Sequence, residues 1–231
     1  MNFDTSKARE EILRRIRTAQ KRGAPDAADQ ATAADYLSRH PAGPQPAPYG
    51  DRVDQFRAMA ERMASTVELV GSAGEVPAAI VRYLAGHGIA PNVVAWPALR
   101  DLPWAQAPLN VEFRSPRRDE SQGADLVGVT GAFCAIAETG TLVLLSGAET
   151  PASMHLLPET HIALLPLDGI VATMEDAFER LRREKGGVDR MMPRTINMVS
   201  GPSRTGDIEQ TIVLGAHGPY RVHIIIMTSA T

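Results

Sequence analysis

The chain has 231 residues, 44% of them hydrophobic and 22% charged, with a formal net charge of −3. That length supports one sizeable domain with a buried core, or a domain and an appendage. The near-neutral balance removes any electrostatic reason to expect a nucleic-acid partner, and the single cysteine, Cys134, excludes an internal disulfide and a self-contained four-cysteine iron–sulfur site.

No apolar run approaches the ~18 residues that a bilayer span needs. The first residues are charged and helix-forming, so no signal peptide is expected and the cytoplasm is the expected compartment. DTSKAREEILRRIRTAQKRG predicts a helix that starts near Asp4–Ser6 and stops at Gly23, with a narrow apolar stripe of Ala8, Ile12, Leu13, Ile16 and Ala19. Alanine-rich sequence follows, then HPAGPQPAPYG. Pro41, Pro44, Pro46 and Pro48 lack backbone donors and disfavour helix in the residues before them, which predicts an extended linker. Residues 1–50 therefore read as a helix with a Pro-rich linker, and 51–231 as the compact domain.

In that domain Val53, Phe56, Met59, Ala60 and Met63 mark one helical face, and TVELV reads as a strand. Val76, Ala79, Ile80, Tyr83 and Leu84 mark a second helix, followed by the strand candidates NVVAW and LNVEF. DLVGVTGAFCAIAETGTLVLLSG is too continuously apolar for half-exposed strands and predicts a buried central sheet. HIALLPL reads as another strand, and Met174, Ala177, Phe178 and Leu181 as a helix ending at Gly186–Gly187. TINMV and RVHIIIM are expected to close the sheet. Strands alternating with helices predict a three-layer α/β fold with a mostly parallel sheet and a helical appendage at the N-terminus.

Open α/β sheets bind ligands outside the carboxyl ends of their strands, and three polar segments are candidates for that edge. In AETGT, Gly140 permits a tight turn and Thr139 and Thr141 offer hydroxyls. Glu138, between apolar flanks, would be partly desolvated, which suits acid–base or nucleophilic work; the plainer alternative is a hairpin turn with Glu138 in water. In SGPSRTGDIEQ, the turn Ser200–Gly201–Pro202–Ser203 leaves a strand and a helix is expected to start at Asp207–Gln210. Its backbone N–H groups, the hydroxyls of Ser203 and Thr205 and the Arg204 guanidinium would cradle an anion. The alternative is a turn with Asp207 as a helix cap and Arg204 paired to Glu209. In GAHGPY, His217 and Gly218 present an imidazole on a loop, a weak signal alone. His155 and His161 bracket LLPET at a spacing that fits no zinc pattern, so no metal is expected. No G-x-S-x-G, G-x-G-x-x-G or Cys–His arrangement is present, and no cofactor is expected.

Taken in order, IAETGT, LLPETHIALLP, SGPSRTGDIE and GAHGP resemble the lactate-utilisation domain family, from about Asp51 to the end of the chain. The resemblance implies a fold similar to the isomerase, deaminase and CoA-transferase superfamily that includes formyltetrahydrofolate cyclo-ligase. It also implies a part in oxidising L-lactate to pyruvate beside two partner proteins that carry iron–sulfur clusters. In that superfamily a glutamate at a comparable strand end can be a nucleophile, which implies that role for Glu138. Two function classes stay open: an accessory subunit of lactate oxidation, and a small-molecule enzyme acting on an anion held by AETGT, SGPSRT and GAHGP.

Overall fold

The computed structural model describes residues 5–21, 23, 25–39, 41, 43–45, 50–117, 126–185, 192–208 and 211–229. The chain forms two compact units, residues 1–47 and 48–231. The first holds helix α1 (Ser6–Gln20) and helix α2 (Ala27–Arg39), neither of which buries a residue. On α1 the Glu11 carboxylate accepts from Arg14 at 2.6 Å and from Arg15 at 2.9 Å, pairs of the i,i+3 and i,i+4 kind. Sequence reading treats the alanine-rich stretch only as connecting chain. It forms α2, because alanine is the strongest helix former and no proline interrupts it before Pro41.

The second unit begins with helix α3 (Arg52–Arg62), capped by Asp51, whose Oδ1 accepts from the N–H groups of Val53 at 2.7 Å and Asp54 at 3.1 Å. There follow strand β1 (Thr66–Val70), helix α4 (Val76–Gly86), β2 (Asn92–Ala95), β3 (Asn110–Phe113) and β4 (Val127–Gly131). Next come β5 (Cys134–Ile136), β6 (Thr141–Leu145), β7 (Thr160–Pro166), β8 (Ile170–Val171) and helix α5 (Met174–Lys185). The chain closes through β9 (Ile196–Val199), β10 (Arg204–Ile208), β11 (Thr211–Leu214) and β12 (Arg221–Met227). Gly186 and Gly187, the expected end of α5, lie outside the described residues.

The main sheet has six parallel strands in the order β1-β12-β7-β4-β2-β3. Its centre is fully buried, so β7 and β12 read as continuous apolar runs rather than alternating ones. One face packs on α4, where Ile80 and Leu84 meet Val127, Ile162 and Ile225. The other packs on α3, through Phe56 and Ala60, and on a second sheet of order β8-β5-β6-β9. Ala135, Leu142 and Leu144 of that sheet face the main one, while Cys134, Ile136 and Val143 face Ala177 of α5. The strand period of two puts alternate residues into two different cores.

Two expectations are corrected here. AETGT and TINMV do not lie on the central parallel sheet; they belong to the smaller one, where β5 and β6, and β6 and β9, pair antiparallel. A single apolar run supplied both β4 and the β5–β6 hairpin, and sidedness alone cannot divide such a run between sheets. Asp207, the expected start of a helix, lies instead in a strand: Arg204–Ile208 pairs antiparallel with Thr211–Leu214, and residues 209–210 lie outside the described ones.

Candidate functional site

The three polar segments meet. Residues 137–140 make the turn between β5 and β6, and Thr141 opens β6. The Thr141 hydroxyl lies 2.7 Å from that of Thr139 and 2.7 Å from that of Ser200, which leaves β9. SGPSRT in turn joins GAHGP: the Ser203 N–H donates to the Pro219 carbonyl at 2.8 Å, and the Gly215 N–H donates to the Ser203 carbonyl at 2.9 Å. Gly218 sits against Ser203, its missing side chain leaving 3.2 Å to the Ser203 Cβ.

Several of these residues also have a packing task. Gly140, at φ +65°, lets the hairpin turn touch the backbone of α3, and Gly201, at φ +78°, lies on the carbonyl that ends it. Arg204 is exposed and donates from Nη2 to the carbonyl of Met63 at 2.8 Å, satisfying a helix-end acceptor. Thr205 is half-buried on β10, and His217 is exposed on its loop. Half-buried Glu138 accepts the Met174 N–H at 3.0 Å, which sets a carboxylate at the positive end of α5. Thr173 and Asp176 complete that cap reciprocally, at 3.2 and 3.0 Å. Glu209, the surface partner considered for Arg204, lies outside the described residues.

The carboxyl ends of the main sheet hold different residues. The chain leaving β2 turns outward to β3, while the chain leaving β4 goes the opposite way, through the small sheet, to β7. Such a reversal opens a crevice between the two strands. The structure has one there, a cleft of about 430 Å³ walled by Trp96 and Leu99 after β2, Gly131 and Phe133 at and after the end of β4, and Leu145 and Ser146 at and after the end of β6. The Trp96 indole N–H donates to the Pro151 carbonyl at 3.0 Å, fixing the ring. GAHGP, by contrast, precedes β12 and so lies at the amino end of that strand, away from the expected edge. Sequence reading missed the cleft. Its only signal was a tryptophan closing an apolar run before Pro97, and that becomes a wall only once strand order is known.

Beneath the main sheet's inner face lies a buried polar pair. His161 Nε2 is 2.8 Å from the Thr130 hydroxyl, and the His155 ring centroid is 6.0 Å from that of His161. Burial, assisted by the other imidazole, pushes His161 down to about 3, and burial also lowers His155. At the β1 edge His223 meets the Thr66 hydroxyl at 2.8 Å and stacks on Tyr83, and burial takes it to about 4.

With this geometry in hand, the chain was compared with known proteins. The LUD domain model matches residues 53–227. Lactate utilization protein C of Geobacillus kaustophilus is 33% identical over 172 residues, 68% of this chain and 70% of that protein. Its namesake in Anoxybacillus flavithermus is 30% identical over 76% of this chain and 80% of that protein. The Bacillus subtilis protein of the same name is 39% identical, over 44% of this chain and 42% of its own length. Among solved structures, a DUF162 family protein from Deinococcus radiodurans superposes with a TM-score of 0.57 at 25% identity, covering 79% of this chain and 100% of that one. A domain match spanning both sheets and all the motif-bearing turns leaves one conclusion: the chain belongs to the LUD domain family.

Proposed function

We propose that this chain is a component, lacking a redox centre of its own, of a cytoplasmic system that oxidises L-lactate to pyruvate, working beside two partner proteins that carry iron–sulfur clusters. The observation that carries the reading is the likeness to proteins named lactate utilization protein C over 68% and 76% of the chain. The division of labour draws on the chain's own residues. Its one cysteine is fully buried, and burial pushes the Cys134 thiol up to about 11, so no thiolate is ready to hold a cluster. Among the described residues no helix is long and apolar enough to cross a membrane.

The test is growth on L-lactate of a strain lacking this gene, together with lactate oxidation by the purified partners with and without the chain. Growth should fail and the reconstituted rate should collapse without it, while the pure chain should be colourless and inactive on lactate. Turnover by the pure chain would overturn the assignment.

A second reading is favoured by the run of hydroxyls Thr139, Thr141 and Ser200, the last of them on the turn that leads to Arg204, whose guanidinium donates to the Met63 carbonyl. In it the turn cluster holds an anionic substrate of a CoA-transferase, isomerase or cyclo-ligase type of enzyme. Calorimetric titration with inorganic phosphate and with coenzyme A decides it. Binding that Arg204→Ala weakens by about 1.5–3 kcal/mol supports this reading, and no heat with either ligand removes it.

A further inference from the structure

The cleft between β2 and β4 is chemically unlike the turn cluster. None of its lining residues is charged: Trp96, Leu99, Phe133 and Leu145 are joined by Ala98, Ala132 and Pro193. Two cations flank it and both are paired: Arg100 with Glu149 at 3.2 Å, and Arg180, whose guanidinium lies 5.4 Å over the Phe133 ring, with Glu184 at 2.8 Å. A small carboxylate such as lactate would lose its hydration in such a cleft and gain no opposite charge, a transfer costing several kcal/mol by the general cost of burying an unpaired ion. The cleft therefore selects against the very substrate of the proposed system.

What it offers instead is apolar wall, two aromatic rings and one hydroxyl donor. The Thr150 hydroxyl spends its hydrogen on the Leu145 carbonyl at 2.9 Å. The Ser146 oxygen instead accepts the Thr195 N–H at 2.9 Å, which leaves the Ser146 hydrogen unassigned at the cleft wall. Fixed aromatic side chains favour stacking on a flat ring. A single free donor suits one carbonyl oxygen on a neutral molecule. The volume, about 430 Å³, falls within the usual range of small-molecule sites.

We propose that this cleft binds a neutral planar ring bearing a carbonyl oxygen, of the quinone type, with the ring against Trp96 and Phe133 and the carbonyl accepting from the Ser146 hydroxyl. The choice of a quinone among neutral rings rests on the lactate reading. Oxidation of lactate to pyruvate releases two electrons and two protons, and a quinone takes up both to become a quinol, so the two half-reactions balance without a further reactant.

The experiment is a binding titration on the full chain carrying Trp104→Phe, which leaves Trp96 as the only tryptophan. Menadione, NAD and L-lactate are added in separate arms, and indole fluorescence, corrected for absorbance, is read beside equilibrium dialysis. Menadione should quench saturably and partition onto the chain; NAD and lactate should do neither. Gly131→Val fills the cleft. A Cβ at Gly131 lies 3.7 Å from Leu99 and 3.8 Å from Trp96, ordinary contact distances, so the variant should fold and bind menadione at least tenfold more weakly. Ser146→Ala should weaken it about two- to tenfold, the range of one hydrogen bond.

Unsaturable menadione, equal binding by wild type and both variants, or tighter binding of lactate or NAD would each overturn the proposal. If Gly131→Val does not fold, Ser146→Ala alone still decides the carbonyl contact. Because the measurement needs no partner and no turnover, menadione binding can fail while the lactate growth phenotype stands, and the reverse.

Discussion

Gly201 lies on the carbonyl oxygen of Met63: a Cβ built at Gly201 would sit 2.1 Å from that oxygen, at a backbone φ of +78°. Gly140 makes the equivalent approach one turn earlier, where a Cβ would lie 2.4 Å from the backbone nitrogen of Ala60, at φ +65°. Both glycines serve the seating of α3 on the small sheet. Gly201→Ala and Gly140→Ala should each destabilise the folded chain by about 1–3 kcal/mol, from left-handed strain plus the clash. Thermal melting would show this as a drop of several degrees in Tm, at about 2–4 °C per kcal/mol for a chain of this size. Unchanged melting in both would mean that α3 is not held there.

Glu138 reaches the first N–H of α5. Glu138→Gln keeps an acceptor but loses the charge at the helix N-terminus, worth about 0.3–1 kcal/mol. Glu138→Ala loses both, at about 1 kcal/mol or somewhat more. Melting should rank wild type above Gln above Ala, and under the accessory reading Glu138→Gln should restore growth on L-lactate. Loss of growth with unchanged melting would point to chemistry at this carboxylate instead.

The buried imidazoles impose a pH dependence. His161, His155 and His223 are all held below the ordinary histidine value of 6.5, His161 at about 3 and His223 at about 4, with burial the largest cause. Below that value the unfolded chain takes up protons that the folded chain refuses, so stability is complete above 6.5 and is lost as the pH falls toward 4 and 3. Tm should therefore decline steadily from pH 6.5 downward. In His161→Asn the decline should be shallower, at the expense of a lower Tm at pH 7. A Tm that rises on acidification over this range would contradict the burial of all three rings.

The second unit carries its own core, with α3 capped by Asp51 and every main-sheet strand within residues 66–227. A chain lacking residues 1–47 should give a cooperative melt and a far-ultraviolet spectrum with both helix and strand. Loss of cooperativity on deletion would make the first unit part of the same core.

Much of this was legible in the residues. The periodicity at Phe56 and Ala60 and at Ile80 and Leu84, and the apolar runs of β7 and β12, are local signals, because helix and strand bury one face at fixed periods. The order of IAETGT, LLPETHIALLP, SGPSRTGDIE and GAHGP likewise marked the family, and the first, third and fourth of these segments proved to be neighbours through Thr141 and Ser200, and through Ser203 and Pro219. Which strand pairs with which was not local. The run from Val127 to Leu145 could have supplied one sheet or two, and only long-range registers, such as Val94 opposite Gly128 and Leu142 opposite Val199, divide it. From that division follow the second core under α5, the roles of Gly140 and Gly201 against α3, and the cleft at Trp96. This cleft lies where connections leave adjacent strands in opposite directions, and that direction is a property of the assembled sheet, absent from any one stretch of chain.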